Sequence, residues 1–210
     1  MQTIKTIVLT GGPCAGKSTA MGWIQGAFTE RGYKVLVVPE TATELITGGV
    51  APWTCGTNAD YQCLQFHLQE VKENIFLKAA KTMKDKKILI VCDRGMMDNK
   101  VYMNDEEYAE VVERINLDEE MQRNKYDAIF HLVTAAKGEE EAYLSNKGGN
   151  ATRIETVEQA CTLDQKLIAA WAGHPRFYTI ESTRDFNCKM KRLVSKIAEF
   201  LGEPSPYEDS

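Results

Sequence analysis

Eight consecutive residues, Gly11-Gly12-Pro13-Cys14-Ala15-Gly16-Lys17-Ser18, constrain this chain more than any other feature in it. They fill the pattern G-x-x-x-x-G-K-[ST], and the context agrees: the apolar run Lys5–Thr10 reads as a buried strand before it, and Lys17–Arg31 as a helix after it. Such glycines let backbone N–H groups fold around phosphate oxygens. The helix start adds the positive end of its dipole. A lysine at position 17 reaches β- and γ-phosphates, and the Ser18 hydroxyl is a ligand for Mg²⁺. Gly11, Gly12, Pro13, Cys14, Ala15, Gly16, Lys17, Ser18 and Thr19 are therefore the candidate binding residues for ATP or GTP.

Strands and helices alternate along the rest of the chain. Tyr33–Val38 and the wholly apolar Lys87–Cys92 read as strands, as do Tyr126–Thr134 and Phe177–Ile180. Apolar runs of this kind belong to parallel sheets covered on both faces. Thr41–Asn58 reads as a short helix and a loop. Helical stretches are expected over Asp60–Lys84, Asp105–Arg123, Arg153–Ala172 and Asp185–Leu201. In the first of these, Leu64, Leu68, Val71, Ile75 and Ala79 hold one stripe at spacings of three and four. The pattern predicts an α/β/α three-layer sandwich on a five-stranded parallel sheet, a P-loop nucleotide-kinase-like fold with a lid. With 210 residues, one domain over 1–202 is expected, with a polar tail at 203–210. The polar, glycine-bearing segment at about 135–153 is the expected lid.

Charge and cysteine content narrow the function classes. A net charge of −5 argues against a nucleic-acid coat or a polybasic membrane anchor. No apolar run approaches the roughly 20 residues a membrane span needs. The N-terminus lacks the plan of a secretory signal, so a cytoplasmic location is expected. None of the six cysteines has the spacing of a zinc site.

The chemistry-bearing residues outside the loop cluster at strand ends. Asp93 ends the third strand and is the expected metal-side carboxylate. Motor ATPases often follow this Asp with a water-activating Glu, but Arg94 stands there instead. Its guanidinium suits a grip on substrate or phosphate, which favours transfer to an acceptor over simple hydrolysis. Glu40 ends the second strand on the same edge and can accept a hydroxyl proton or hold a sugar hydroxyl. Arg153, with Lys137 and Lys147 as alternatives, is the candidate lid cation that neutralises charge on the transferring group. Gln62, Gln69 and Glu73 share one helix face with Phe66; they either read an acceptor ring or form a solvated face. Trp53 either stacks on a ring or plugs the core. Thr183 and Phe186 lie where a donor base would rest. Asn124-Lys125-Tyr126-Asp127 imitates the guanine-reading motif of GTPases, yet it precedes a strand rather than following one.

Taken in order, G-G-P-C-A-G-K-S, V-V-P-E-T-A (37–42), C-D-R-G-x-x-D (92–98), Y-D-A-I-F-H-L (126–132), N-x-x-R (150–153), W-x-G-H-P (171–175) and D-F-x-x-K (185–189) resemble the AAA-type P-loop family. That family groups NadR-type nicotinamide-riboside-kinase-like domains with TRP-translocation-defect-like domains. The Glu40 and Asp93-Arg94 placements also resemble deoxynucleoside and thymidylate kinases. The resemblance implies a nucleoside/nucleotide-kinase-like fold and Mg²⁺-dependent ATP or GTP binding. Residues and resemblance together point to a small-molecule kinase acting on a nucleoside, nucleotide or related acceptor. A nucleotide-dependent switch that docks a protein or a lipid headgroup is the rival reading, and an AAA-type ATPase ring lacks room for its helical subdomain.

Overall fold

A computed structural model describes residues 2–136 and 156–207. The expected lid cations Lys137, Lys147 and Arg153 lie outside the described residues, as does most of the expected lid. The elements run β1 (Thr3–Gly11), α1 (Lys17–Thr29), β2 (Tyr33–Val38), α2 (Thr41–Thr47), α3 (Asn58–Thr82) and β3 (Lys87–Asp93). A 3₁₀ segment, Met96–Tyr102, follows, then α4 (Asp105–Ile115), α5 (Glu119–Asn124) and β4 (Ala128–Leu132). The chain closes with α6 (Val157–Ala170), β5 (Phe177–Ile180) and α7 (Phe186–Leu201).

The five strands form one sheet in the order β2-β3-β1-β4-β5, with every pairing parallel. Side chains alternate across it, as the period of two requires. Ile7, Leu9, Leu89, Val91 and Phe130 face α1 and α7, where Ile24, Phe28, Met190, Leu193 and Ile197 meet them. Val8, Ile88, Ile90, Cys92 and Ile129 face the other way, against Phe66 of α3, Val111 of α4, Trp171 and the 3₁₀ methionines. The result is the expected α/β/α sandwich, a P-loop fold. Parallel registry aligns Leu9 with Asp93 and Val38 with Cys92, so the strand ends share one edge.

Four local expectations shift. The strand expected over Tyr126–Thr134 contracts to Ala128–Leu132. The acidic stretch Asp105–Arg123 is two helices: Asn116 takes a left-handed turn (φ 49°) that ends α4, and the Asp118 carboxylate caps α5 by accepting from Met121 N. The described part of the helix expected from Arg153 starts at Val157, where Thr156 and Gln159 form a capping box. The 3₁₀ segment was not anticipated; it opens where the Asp98 carboxylate accepts from Gly95 N, 2.9 Å away.

The largest departure is on α3. Leu64, Val71 and Ile75 of the apolar stripe are 51–56% exposed, while Tyr61, Gln62, Gln65, Phe66 and Gln69 are buried. The helix presents its amide face inward because the interior there is polar. Gln65 Nε2 donates to Asn99 Oδ1 (2.5 Å), Asn99 Nδ2 donates to Gln69 Oε1 (2.9 Å), and Tyr126 OH donates to Glu73 (2.9 Å). Burying those amides costs little once each finds a partner. Among the described residues no helix is long and apolar enough to cross a membrane.

Candidate functional site

Four segments converge at the C-terminal ends of the central strands. The Gly11–Gly16 loop leaves β1, Glu40 follows β2, Asp93 and Arg94 end β3, and Thr134 follows β4. Gly11 has φ 146°, and a Cβ there would sit 2.2 Å from Leu132 O, so only glycine lets the loop leave the strand so close to β4. Cys14 and Arg94 also hold positive φ (56° and 69°) without being glycine. Such conformations are costly outside glycine and persist where the surroundings fix them. Arg94 N donates to Leu9 O at 3.1 Å, one of the contacts that does so.

The loop is braced residue by residue from behind. Gly12 N donates to Asp164 Oδ1 at 3.0 Å, and that oxygen also accepts from Thr134 N (3.2 Å) and lies 3.1 Å from His131 Nε2. Thr134 Oγ1 donates to Pro13 O at 2.5 Å. Lys189 Nζ, fully buried, donates to Ala15 O (2.9 Å) and Val133 O (2.6 Å). The Phe186 ring lies over Gly16, where an added Cβ would come within 2.6 Å of it. Lys17 Nζ donates to Gly11 O (2.8 Å) and Gly12 O (3.3 Å). An ammonium has three donors, so one N–H is left for a phosphate oxygen.

Electrostatics distinguish the members of this edge. Burial, reinforced by the nearby Arg94 charge, lowers Lys17 to about 8. Burial lowers Lys189 to about 8 as well, against the pull of Asp164 and Glu181. Burial works to raise Glu40, but Arg94 and the Thr43 hydroxyl outweigh it and hold the carboxyl below its ordinary range. Arg94 Nε donates to Glu40 Oε1 at 2.5 Å, and Thr43 Oγ1 donates to the other oxygen at 2.6 Å. Burial opposes the Arg94 charge, yet Tyr102, Glu40 and Asp98 more than compensate, so the guanidinium stays protonated. Asp93 moves up, first by burial and then by the neighbouring Glu40. Its Oδ1 and Arg94 Nη1 are buried without a partner.

Lys17, Glu40, Asp93 and Arg94 thus lie close enough for their charges to act on one another. Ser18 and Thr19 are exposed at the first turn of α1. Phe186 packs on the loop at Gly16, while Thr183 Oγ1 donates to Asp185 O ahead of α7. The α3 face divides. Gln69 and Glu73 are spent on internal partners, whereas Gln62 Oε1 is buried and unpartnered, as is the OH of neighbouring Tyr61. Trp53 is 75% exposed and plugs nothing. The GTPase-like motif lies at the opposite edge, where Asp127 binds Lys5 and Thr6 N before β4 begins. Sequence reading missed Asp164, Thr134, Asp98 and Tyr61 as members of the site. Asp98 and Lys189 stood inside quoted motifs without a role. Asp164 carried no local signal, because its partners lie thirty or more positions upstream in the chain.

Residues 6–188 match a family described as AAA domain. In structure, the chain is similar to a deoxyadenosine kinase from M. mycoides with products dCMP and a flexible dCDP bound: TM-score 0.59, 17% identity, covering 92% of this chain and 99% of that one. The same enzyme with bound dATP gives TM-score 0.59 and 16% identity over 92% and 98% of the two chains. At these identities the likeness shows the fold alone. No curated protein matches in sequence.

Proposed function

The chain belongs to the AAA domain family, and on that premise we propose that it is a phosphotransferase that moves the γ-phosphate of ATP or GTP to a hydroxyl of a small-molecule acceptor. The observation that carries this reading is the Arg94–Glu40 pair at 2.5 Å, set directly after Asp93 and across from Lys17. Motor ATPases often place a water-activating Glu directly after the strand-end Asp, where this chain has Arg94. This site instead offers an anchored carboxylate and a guanidinium with one donor still unspent.

Each residue then has a task in this reading. Lys17 and the loop N–H groups hold the β- and γ-phosphates and offset charge that builds during transfer. Glu40 has two oxygens and accepts one hydrogen bond on each, which leaves lone pairs to orient an acceptor hydroxyl. The acceptor oxygen bonds to the γ-phosphorus, the bond from that phosphorus to the β-bridging oxygen breaks, and the nucleoside diphosphate leaves. The hydroxyl proton passes to the Glu40 carboxylate and on to water. Arg94 positions Glu40 and keeps a donor for the acceptor or the moving phosphoryl group. Thr183 and Phe186 flank the donor base, and Arg153 is the candidate lid cation.

Mg²⁺ fits the same edge. Asp93 offers an unpartnered buried oxygen and Ser18 an exposed hydroxyl. Among the described residues no group of three or more His, Cys, Asp or Glu could hold a metal alone, so Asp93 and Ser18 would hold the ion together with substrate phosphate and water. When bound, the ion neutralises charge on the β- and γ-phosphates.

The test is incubation with Mg²⁺ and γ-labelled ATP or GTP, with nucleosides, nucleoside monophosphates and nicotinamide riboside as acceptors and Lys17→Ala as control. Label on an acceptor, lost in the variant, is the expected result. Rapid hydrolysis indifferent to acceptors overturns it. Nucleotide binding without transfer points instead to a nucleotide-dependent binding protein with a protein or lipid-headgroup partner.

A further inference from the structure

Beside the phosphate loop lies a small apolar cluster that no step above uses. Ala136 and Ala160 are buried there, and Cys14, Ala135, Val157 and Cys161 pack against them. Cys14 belongs to the loop and Cys161 to α6. An alanine offers a single methyl group, so side chains packed on one pair of alanines are near neighbours. A second set of contacts agrees. Gly12, two residues before Cys14, donates to Asp164 Oδ1 at 3.0 Å, and a Cβ on Gly12 would stand 3.2 Å from Asp164 Cβ. Asp164 follows Cys161 by three positions on α6, which puts the two on one helix face. That face is the one α6 turns toward the loop.

None of the six cysteines is cross-linked. Cys14 and Cys161 are both half-buried, so a small oxidant reaches them. Cys63 and Cys92 are instead sealed in the core with Phe66 and Trp171, where burial pushes both thiols up and keeps them protonated. Cys14 also holds φ 56°, a left-handed conformation that a non-glycine residue keeps only while its surroundings fix it. A disulfide brings its sulfurs to about 2.05 Å, well inside non-bonded contact. Closing one between Cys14 and Cys161 draws Cys14 toward α6 and acts on the loop at its most strained side chain.

Resting on the reading of Gly11–Thr19 as the triphosphate site, we propose that Cys14 and Cys161 are a redox-active thiol pair whose disulfide reversibly weakens triphosphate binding. The oxidant is a low-molecular-weight disulfide such as oxidised glutathione. One cysteine thiolate attacks it, a first glutathione thiolate leaves, and a mixed disulfide forms. The second cysteine thiolate then attacks the protein sulfur of that mixed disulfide, and a second glutathione thiolate leaves. The two protein thiols lose two electrons, the glutathione disulfide gains them, and the two protons end on the two glutathione thiols. A thiol reductant runs the same steps backwards.

The full chain is equilibrated in buffers of graded reduced-to-oxidised glutathione ratio, remaining thiols are blocked with iodoacetamide, and unreduced peptides are read by mass spectrometry. A linked pair of peptides carrying Cys14 and Cys161 is expected to grow with oxidised glutathione and to vanish with dithiothreitol. On the same samples, the Kd for non-hydrolysable ATP and GTP analogues with Mg²⁺ is expected to rise about tenfold on oxidation and to return on reduction. Cys161→Ser and Cys161→Ala are expected to keep the reduced Kd and the melting temperature while losing the redox response; Cys188→Ser is expected to retain it. Linkage of either cysteine to another partner, or mixed disulfides with glutathione alone, overturns the pairing. A Cys14–Cys161 bond with an unchanged Kd overturns its effect on the site, and a response that survives in both Cys161 variants overturns the assignment. A reduced chain that binds neither triphosphate overturns the triphosphate reading and the regulation with it, while the peptide masses still decide the bond.

Discussion

On the phosphate-loop side, Gly12 N, Pro13 O and Ala15 O each meet a fixed, buried partner from α6, the turn after β4 or α7, while Tyr61 OH and Gln62 Oε1 on α3 and Arg94 Nη1 after β3 meet none. Both regions bury polar groups, and the physics of each group is the same. What differs is where the compensating hydrogen bond comes from. A loop of the P-loop kind presents one geometry to a phosphate group that is chemically constant, so the protein itself braces Gly12 N, Pro13 O and Ala15 O from behind. On the other side the protein leaves buried polar atoms without a partner of its own, which is what a surface that takes its hydrogen bonds from a bound molecule would do.

Removing a polar group should therefore cost much on one side and little on the other. Asp164→Ala strips one oxygen from Gly12 N, Thr134 N and His131 at once. Orphaning several buried donors should cost about 3–5 kcal/mol, a drop of about 10 °C in melting temperature for a chain of this size. Gln62→Leu should leave it unchanged. Equal melting curves for the two variants would erase the distinction. The same carboxylate has an acid signature. Burial pushes Asp164 up, but His131 and the two backbone N–H groups outweigh it, so its folded pKa lies below the ordinary 3.8. Its stabilisation is present above that value and lost as pH falls through the folded pKa, and Asp164→Ala should flatten this part of the acid-unfolding profile.

Gly16→Ala tests the loop from its outer face. Gly16 has φ 93°, and a new Cβ would meet Phe186 at 2.6 Å. The left-handed conformation costs alanine about 1–2 kcal/mol, and displacing the ring adds about 1 kcal/mol. A Phe186→Ala background should recover the second part and not the first. Melting temperature and triphosphate Kd read both, and full recovery would mean that the backbone there can relax.

Lysine ionisation gives a smaller and reversible effect. Lys17 and Lys189 both lie near 8. Bound phosphate favours the ammonium form, so triphosphate affinity should be constant below pH 8 and fall by about tenfold for each unit above it while one lysine controls binding. Lys17→Met should remove most of this slope along with most of the affinity. Lys189→Met should keep the slope, since Lys189 touches the loop carbonyl rather than the ligand. A flat Kd from pH 7 to 10 would place neither charge beside phosphate.

The same division explains what the sequence reading could see. The eight-residue loop motif, the strand-end Glu40 and the Asp93-Arg94 pair are local patterns, and local patterns survive in sequence because neighbouring residues act together. The five-strand order of elements follows from alternating apolar runs in the same way. The brace does not, because Asp164 reaches Gly12 across more than a hundred and fifty positions and looks like any helix carboxylate. The orientation of α3 was hidden for another reason. Its leucine and isoleucine stripe has ideal spacing, and only the partners Asn99 and Tyr126, on other elements, reveal that its amide face is the buried one.

Trp53 offers the smallest and sharpest comparison between the two sides. It stands in the loop before α3 and is 75% exposed, so it contributes little to the core. Trp53→Ala should change stability by less than about 0.5 kcal/mol. If the indole stacks on an acceptor ring, the loss should be about 0.5–1.5 kcal/mol, read as a two- to tenfold rise in acceptor KM with triphosphate Kd fixed. Phe186→Ala on the loop side should show the reverse, a weakened triphosphate Kd at constant acceptor KM. An acceptor KM unmoved by Trp53→Ala would remove the indole from acceptor binding.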